Sequence, residues 1–299
     1  MPPISVLIKP SSGICNMKCD YCFYCDEMKK RMQESYGFMT EQTLKNVIRK
    51  TMLHAEGMIS YAYQGGEPTL RGIAFYEKAI EYQRNYNKCG IRVNNAMQTN
   101  GYLIDDEWCK FFKENHFLIG LSVDGTKQIH DLYRHGKSGE PTFDRIKKAA
   151  ELMDQYGVDY NILTVVTQKT AAHAAEIYNY YKEQGWKYQQ YIACLDPLGE
   201  DRGKTPYALN PEQYGMFLTE LFNLWYEDWK KGEQPYIRQF ENYIGILLGY
   251  QPESCEQRGS CGTQNVVEAD GSVYPCDFYA LDEYKLCLLY TSPSPRDCS

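Results

Sequence analysis

The sequence predicts an α/β fold built as a partial (β/α)6 barrel, and two observations lead to this prediction. Short apolar segments, typical of strands, alternate along residues 5–195 with longer amphipathic segments, typical of helices. Glycine-rich or polar segments follow the first strands, where parallel α/β folds place their active sites. Alternation with right-handed crossovers produces a parallel sheet covered by helices. A doubly wound sheet would show the same alternation, and the sequence alone does not separate the two folds.

Each predicted element rests on its own local pattern. The first strand, SVLIK at 5–9, is short and apolar. The first helix, at 40–53, has apolar residues every three or four positions and begins at Thr40, a favourable N-cap. The same two patterns then recur in order. Further strands are predicted at 59–63, 93–99, 117–124, 161–166 and 188–195, and further helices at 73–86, 105–115, 142–157, 171–185 and within about 211–249.

Composition excludes several classes of protein. Apolar residues make up 43% and charged residues 24% of the 299 residues, which is typical of a globular protein. The net charge of −7 argues against nucleic acid as a partner. No apolar run approaches the roughly 20 residues of a membrane span, and residues 1–13 lack the basic and apolar regions of a signal peptide. We therefore expect a cytoplasmic protein without a membrane partner.

The segment CNMKCDYCFYC, residues 15–25, holds four of the twelve cysteines and follows the first strand. A disulfide knot is disfavoured because disulfides are rare in the reducing cytoplasm. A zinc site is disfavoured because the segment supplies no second C-x2-C pair and no histidine. Cys19, Cys22 and Cys25 also have a ferredoxin spacing, but ferredoxins are small and carry no six-unit barrel. We favour an iron–sulfur cluster held by Cys15, Cys19 and Cys22, with Cys25 pointing elsewhere.

The C-x3-C-x2-C spacing, with aromatic Tyr21 before the third cysteine, resembles the signature of the radical S-adenosylmethionine (radical SAM) superfamily over about residues 1–230. The resemblance implies a [4Fe–4S] cluster with one open iron that binds SAM. By the same resemblance, the GGE segment receives the SAM amino group, Ser122 and Arg134 hold its carboxylate or ribose, and Leu195 packs on the adenine. The implied cofactor-binding residues are Tyr21, Gly65, Gly66, Glu67, Ser122, Arg134 and Leu195.

A second group of cysteines lies near the end of the sequence. Cys255 precedes Cys261, and residues 261–276 have the spacing C-x9-G-x4-C, with Gly271 expected to turn a short hairpin. This resembles the first half of a SPASM domain, the auxiliary-cluster extension of peptide-modifying radical SAM enzymes. The resemblance implies that Cys255, Cys261 and Cys276 ligate an auxiliary [4Fe–4S] cluster. It also implies that Asp277 is the catalytic base, as in the anaerobic sulfatase-maturating enzymes.

Residues 287–299, CLLYTSPSPRDCS, depart from the family pattern, which continues with further cysteines. We therefore expect three segments: a radical SAM barrel at 1–230, linker helices and the incomplete start of a SPASM domain at 231–286, and a non-native tail at 287–299. A chain that stops there would have incomplete auxiliary clusters and impaired maturation activity. Its helices at about 211–249 would also expose apolar surface.

The function implied by the resemblance is oxidation of a cysteine or serine side chain in a sulfatase to C-formylglycine. The implied partners are the sulfatase polypeptide and a reducing electron donor of the flavodoxin or ferredoxin type. One alternative is another SPASM enzyme that forms a thioether crosslink or epimerises a peptide. The other is a non-catalytic iron–sulfur electron carrier, which would have no use for the GGE segment or for Arg134.

Overall fold

The computed structural model describes residues 3–262 and 264–289, and most of its strands belong to one mixed sheet. The strands are β1 Ile4–Ile8, β2 Met17–Cys19, β3 Met58–Tyr63, β4 Arg92–Thr99, β5 Phe117–Ser122, β6 Arg134–Gly136, β7 Asp159–Val166, β8 Tyr188–Ala193, β9 Tyr236–Ile237, β10 Asn265–Val267, β11 Ser272–Tyr274 and β12 Cys287–Leu288. The helices are α1 Phe23–Lys29, α2 Glu41–Met52, α3 Ile73–Tyr86, α4 Asp106–Glu114, α5 Lys127–His130, α6 Phe143–Tyr156, α7 Gln168–Ala171, α8 Ala174–Glu183, α9 Pro211–Trp229 and α10 Arg238–Leu247. Short 3-10 turns lie at Pro68–Arg71, Cys255–Gln257, Asp277–Tyr279 and Asp282–Tyr284.

The strand order confirms the partial barrel and makes the doubly wound alternative wrong. Strands β1, β3, β4, β5, β7 and β8 lie side by side in chain order, and every neighbouring pair among them is parallel. A doubly wound sheet reverses its strand order at a switch point, and this sheet has no reversal within those six strands. The carboxyl ends of all six strands therefore face one rim, where the sequence places its unusual segments.

The C-terminal segment extends the same sheet. Strand β10 pairs parallel with β1, and β11 returns antiparallel to β10, with Val266 opposite Tyr274. Gly271 turns the hairpin at a φ of 87°, a left-handed conformation that glycine adopts without steric cost. The predicted hairpin is therefore present. β11 runs away from the carboxyl-end rim, and the segment after it turns back toward the cysteine loop, where Asp277 contacts Tyr24 and Gln64. Most of the tail expected to be non-native, residues 290–299, lies outside the described residues.

Most helices begin and end where the sequence predicts. The Thr40 side chain accepts a hydrogen bond from the Thr43 backbone N–H at 3.1 Å and so caps α2. The helix predicted at 171–185 is present as α8, and a separate four-residue helix, α7, ends at Ala171 just before it. Alternate residues of β3 are buried, as expected for a strand with the barrel interior on one face.

Apolar side chains are exposed on α9 and α10 and just after them. Met216, Trp229, Leu247, Leu248 and Tyr250 are each at least half exposed. This agrees with the expectation of apolar surface in residues 211–249. Among the described helices, none is both long and apolar enough to cross a bilayer.

Candidate active site

The three cysteines of the C-x3-C-x2-C motif come from three different local structures. Cys15 lies in the loop that leaves β1, Cys19 ends β2, and Cys22 is the N-cap residue of α1. Strand β2 is held by β6 in a two-stranded ribbon in which Cys19 lies opposite Arg134. The loop thus places all three sulfurs at the carboxyl-end rim of the barrel. Electrostatic coupling of Cys19 to both Cys15 and Cys22 reflects their proximity.

Each of these sulfurs receives hydrogen bonds from nearby groups. The Cys15 sulfur accepts from the Met17 backbone N–H at 3.4 Å and from Asn100 Nδ2 at 3.6 Å. Arg134 Nη1 donates to the Cys19 sulfur at 3.9 Å. Backbone N–H groups at the start of α1 donate to Cys22. Such donors stabilise the negative charge on cluster-bound thiolates and tune the cluster's potential.

The surroundings change the acidity of the three thiols in different directions. Burial raises the pKa of Cys15 to about 11 and that of Cys19 to about 12. A hydrogen bond from the Cys25 thiol, together with backbone N–H groups, outweighs burial and lowers the pKa of Cys22 to about 6. Metal binding requires thiolates, so loading the site releases protons, mainly from Cys15 and Cys19.

The expectation that Cys25 points elsewhere is wrong, because its thiol is hydrogen-bonded to Cys22. Both side chains lie at the start of α1, where positions three apart share a face. In the described part of the chain, no three His, Cys, Asp or Glu side chains converge closely enough to hold one metal ion. A [4Fe–4S] cube instead spreads its thiolates over separate irons. The all-sulfur donor set and its N–H donors therefore fit a cluster on Cys15, Cys19 and Cys22.

The two glycines after β3 let the chain pass directly against the cysteine loop. Gly66 N–H donates to the Ser12 carbonyl at 2.7 Å, and a Cβ on Gly66 would lie 2.1 Å from the Ile14 carbonyl oxygen. Gly65 has a φ of 112°, and its Cβ would lie 2.8 Å from the Ser12 carbonyl oxygen. Side chains at either position would push the loop away, so these glycines hold Cys15 in place.

The Glu67 side chain is buried and its carboxylate is fully hydrogen-bonded within the protein. It is 1% exposed, and its carboxylate accepts hydrogen bonds from Thr69, from Thr99 Oγ1 at 2.7 Å and from the Asn100 backbone N–H at 2.8 Å. Burial raises the pKa of Glu67 despite these donors. The carboxylate therefore links the ends of β3 and β4, while the N–H groups of Gly66 and Glu67 bind the cysteine loop. Asn100 was not predicted from the sequence. It bonds to Glu67 through its backbone N–H and to the Cys15 sulfur through its side-chain amide.

Arg134 and Tyr21 meet at one buried carboxylate. Arg134 Nε donates to Asp124 Oδ2 at 2.9 Å, and the Tyr21 hydroxyl donates to the same oxygen. The Arg134 guanidinium also lies 5.6 Å from the centre of the Tyr21 ring. Ser122, half-buried at the end of β5, lies two residues before Asp124. Asp124 was not predicted, since a lone Asp in SVDG carries no spacing signal.

Leu195 lies apart from these groups. It follows the end of β8 and is 50% exposed, so its side chain has an open face on which a flat ring could pack. Its neighbour Cys194 is buried.

Asp277 occupies the same rim, on the 3-10 turn after Cys276. Its Oδ2 accepts hydrogen bonds from the Tyr24 hydroxyl at 2.7 Å and from Gln64 Nε2 at 2.9 Å. Its Oδ1 is buried, accepts no hydrogen bond from the residues that the structure describes and lies 3.7 Å from Lys9 Nζ. Because Tyr24 is two residues from Cys22, the carboxylate is tied to the cysteine loop. A buried carboxylate oxygen without a donor can receive a proton.

Cys276 lies close enough to Cys255 and Cys261 for their charges to act on its thiol. Burial, then the charges of Asp277, Cys255 and Cys261, raise the pKa of Cys276. Cys255 and Cys261 are exposed and Cys276 is half-buried. The hairpin between β10 and β11 explains the approach of the last two cysteines, since its two ends lie side by side.

Known proteins resemble this chain over most of its length. Residues 10–181 match the model of the radical SAM superfamily. A protein of Clostridium perfringens described as a cysteine-type anaerobic sulfatase-maturating enzyme is 48% identical over 96% of this chain and 77% of its own length. A serine-type enzyme of Bacteroides thetaiotaomicron is 32% identical over 97% of this chain and 73% of its own length.

Solved structures of related proteins also resemble this chain. A structure described as native anSMEcpe with bound AdoMet, which is SAM, superposes with a TM-score of 0.94 at 46% identity, covering 99% of this chain and 80% of that one. A second structure, with AdoMet and the Cp18Cys peptide, gives a TM-score of 0.94 at 47% identity over the same shares. Streptococcus suis SuiB, at 16% identity and a TM-score of 0.66, shares the fold over 97% of this chain and 64% of its own.

Proposed function

The chain belongs to the radical SAM superfamily and, within it, to the anaerobic sulfatase-maturating enzymes, and on this basis we propose that it oxidises a cysteine side chain of a sulfatase to C-formylglycine. Cysteine is proposed over serine because identity to the cysteine-type relative is 48%, against 32% for the serine-type relative. An electron carrier is disfavoured, since it would need no SAM site.

The residues around the cluster have distinct roles in this proposal. Cys15, Cys19 and Cys22 hold a [4Fe–4S] cluster, and the backbone at Gly65, Gly66 and Glu67 lies against its loop to receive SAM. Arg134, Tyr21 and Ser122 lie on the same rim and bind the polar parts of SAM, while Leu195 offers an apolar face to its adenine. When bound, the cluster and SAM supply a 5′-deoxyadenosyl radical that takes a hydrogen atom from carbon.

Asp277 carries the chemical step that this chain's own side chains perform. After a hydrogen atom leaves Cβ of the substrate cysteine, the thiol must lose one proton and the carbon one electron to form C=S. Asp277 Oδ1, buried and without a hydrogen bond among the described residues, takes that proton. Water then replaces sulfur to give the aldehyde, with release of hydrogen sulfide. The free carboxylate oxygen beside the cysteine loop is the single observation that most supports this assignment.

The second electron needs an acceptor. We assign Cys255, Cys261 and Cys276 to an auxiliary [4Fe–4S] cluster, because the charges of Cys255 and Cys261 act on Cys276, the residue directly before Asp277. A flavodoxin- or ferredoxin-type protein would deliver the first electron. The redox balance requires both a donor and an acceptor, since the reaction consumes one electron to cleave SAM and releases one from the substrate.

The direct test is anaerobic incubation of the reconstituted protein with SAM, a reductant and a sulfatase peptide that contains the target cysteine. We expect 5′-deoxyadenosine and a peptide in which mass spectrometry finds an aldehyde in place of the thiol. A matched peptide with serine at that position should be converted more slowly. Cleavage of SAM without any change in the cysteine peptide would contradict the proposed function.

A further inference from the structure

Five charged side chains with almost no solvent exposure form one network beside the cysteine loop. Its members are Lys9, Glu27, Arg31, Glu268 and Asp277, and each is at most 7% exposed. They come from the end of β1, from α1 and the segment after it, from the end of β10 and from the turn after Cys276. The network therefore joins the helix that begins at Cys22 to the C-terminal segment.

Lys9 occupies the centre of this network. Its Nζ lies 2.8 Å from Glu27 Oε2 and 3.3 Å from Glu268 Oε1. Arg31 contacts the same two carboxylates, at 3.0 Å for Glu27 and 2.8 Å for Glu268. Two cations and two glutamates thus alternate in a closed, neutral ring. Burial of the ring is compensated internally, because each charge has two opposite partners.

Asp277 is the one member outside this balanced ring. Lys9 Nζ lies 3.7 Å from its Oδ1 and, in the part of the chain that the structure describes, no other cation lies within ion-pair distance of Asp277. The network holds three carboxylates and two cations, so Asp277 is its excess negative charge. A buried excess carboxylate is unfavourable for folding, and an amide would fit the same hydrogen-bonding groups. The buried Asp277 carboxylate therefore indicates a role in the reaction and not in the stability of the fold.

We infer that Lys9 is a positioning residue for the reaction, fixed by Glu27 and Glu268 so that it holds Asp277 Oδ1 where the substrate proton arrives. The inference rests on the proposed function. Tyr24 and Gln64 fix the other oxygen, Oδ2, by hydrogen bonds. Lys9 attracts Oδ1 without donating a hydrogen bond to it, since 3.7 Å is beyond hydrogen-bond distance. The oxygen is therefore oriented and still free to accept a proton.

The test compares Lys9→Met with the parent and with Lys29→Met, which makes the same change at an exposed position of α1. The readout is the ratio of formylglycine to 5′-deoxyadenosine, which reports how often a cleaved SAM leads to product. We expect Lys9→Met to lower this ratio about 10- to 100-fold, the order of loss for a misplaced catalytic group. Iron content should stay at the parental level, and Lys29→Met should give the parental ratio.

A double variant separates positioning from a general structural role. If Lys9 acts through Asp277, Lys9→Met should lower the ratio no further once Asp277→Asn is present, because the two changes remove one function. A parental ratio in Lys9→Met, or an equal further loss in the Asp277→Asn background, would overturn the inference. Lys9→Gln, which keeps a neutral hydrogen-bond donor for the two glutamates, decides the case if Lys9→Met does not fold. If neither variant folds, Lys9 is structural and the inference is wrong. A parent that makes no formylglycine would instead refute the proposed function.

Discussion

At the scale of single residues, the account depends on which oxygen of Asp277 is free. Oδ2 accepts hydrogen bonds from Tyr24 and Gln64, whereas Oδ1 is buried and, in the described part of the chain, has no hydrogen-bond donor. Asp277→Asn keeps the shape and removes the base, so we expect the ratio of formylglycine to 5′-deoxyadenosine to fall about 10²- to 10⁴-fold. Liquid chromatography of both products measures it. Glu283→Gln, an exposed carboxylate nearby, is the control, and a parental ratio in Asp277→Asn would make Asp277 structural.

Gly66 gives a second residue-scale prediction, because its missing Cβ is what allows the close contact with Ile14. A methyl group there would lie 2.1 Å from a backbone oxygen, which no side-chain rotation relieves. We expect Gly66→Ala to cost about 1–3 kcal/mol in unfolding free energy and to lower the iron bound per chain. Gly215→Ala lies inside α9, where an added Cβ would have no atom of the described residues outside its own helix within 4 Å, so this change should be neutral or stabilising. Thermal unfolding and iron assays compare the two variants. Equal stability and equal iron content in both would contradict this role of Gly66.

At the scale of elements, the Asp228 side chain on α9 links this helix to α8 through hydrogen bonds. Its carboxylate accepts from Tyr178 at 2.8 Å and from Lys182 at 2.6 Å. Burial alone would raise the pKa of Asp228, but these partners outweigh it and hold the pKa below its usual 3.8. Because the folded-state pKa is the lower one, the carboxylate stabilises the fold fully above about pH 4 and loses this effect as the pH falls.

The prediction is that Asp228→Asn lowers the melting temperature by about 2–5 °C at pH 6. The gap between parent and variant should shrink as the pH falls below the usual carboxyl pKa of 3.8 and through the lowered pKa of Asp228. Melting curves at several pH values give the result. A gap that stays constant with pH would mean that the ionised carboxylate does not stabilise this helix pair.

The elements themselves were mostly predictable from the sequence, and the exceptions have physical reasons. The helix at 73–86 and the strand at 188–193 follow clear periods, so their predicted positions match the structure closely. Strands β2 and β6, three residues each, are too short to show a period, although they position Cys19 against Arg134. Three residues are too few to show an alternating pattern, and the partner that stabilises each strand lies far away in sequence.

At the scale of the whole molecule, the site is assembled from contacts that sequence spacing does not encode. The cysteine motifs and the GGE segment could be recognised because each is local. Lys9, Glu268 and Asp124 could not, since the partners that fix them come from other parts of the chain and depend on strand order. The ion pair between Lys9 and Glu268 exists only because β10 lies beside β1. Long-range electrostatics is therefore what the structure adds to the sequence.

The central claim is that this chain uses a SAM-derived radical to oxidise the β-carbon of a substrate cysteine. The most direct measurement uses a sulfatase peptide with deuterium on that carbon and follows the label by mass spectrometry. The account predicts that deuterium appears in 5′-deoxyadenosine in proportion to the formylglycine formed. Formylglycine made with unlabelled 5′-deoxyadenosine, or 5′-deoxyadenosine made without any transfer of deuterium, would contradict it.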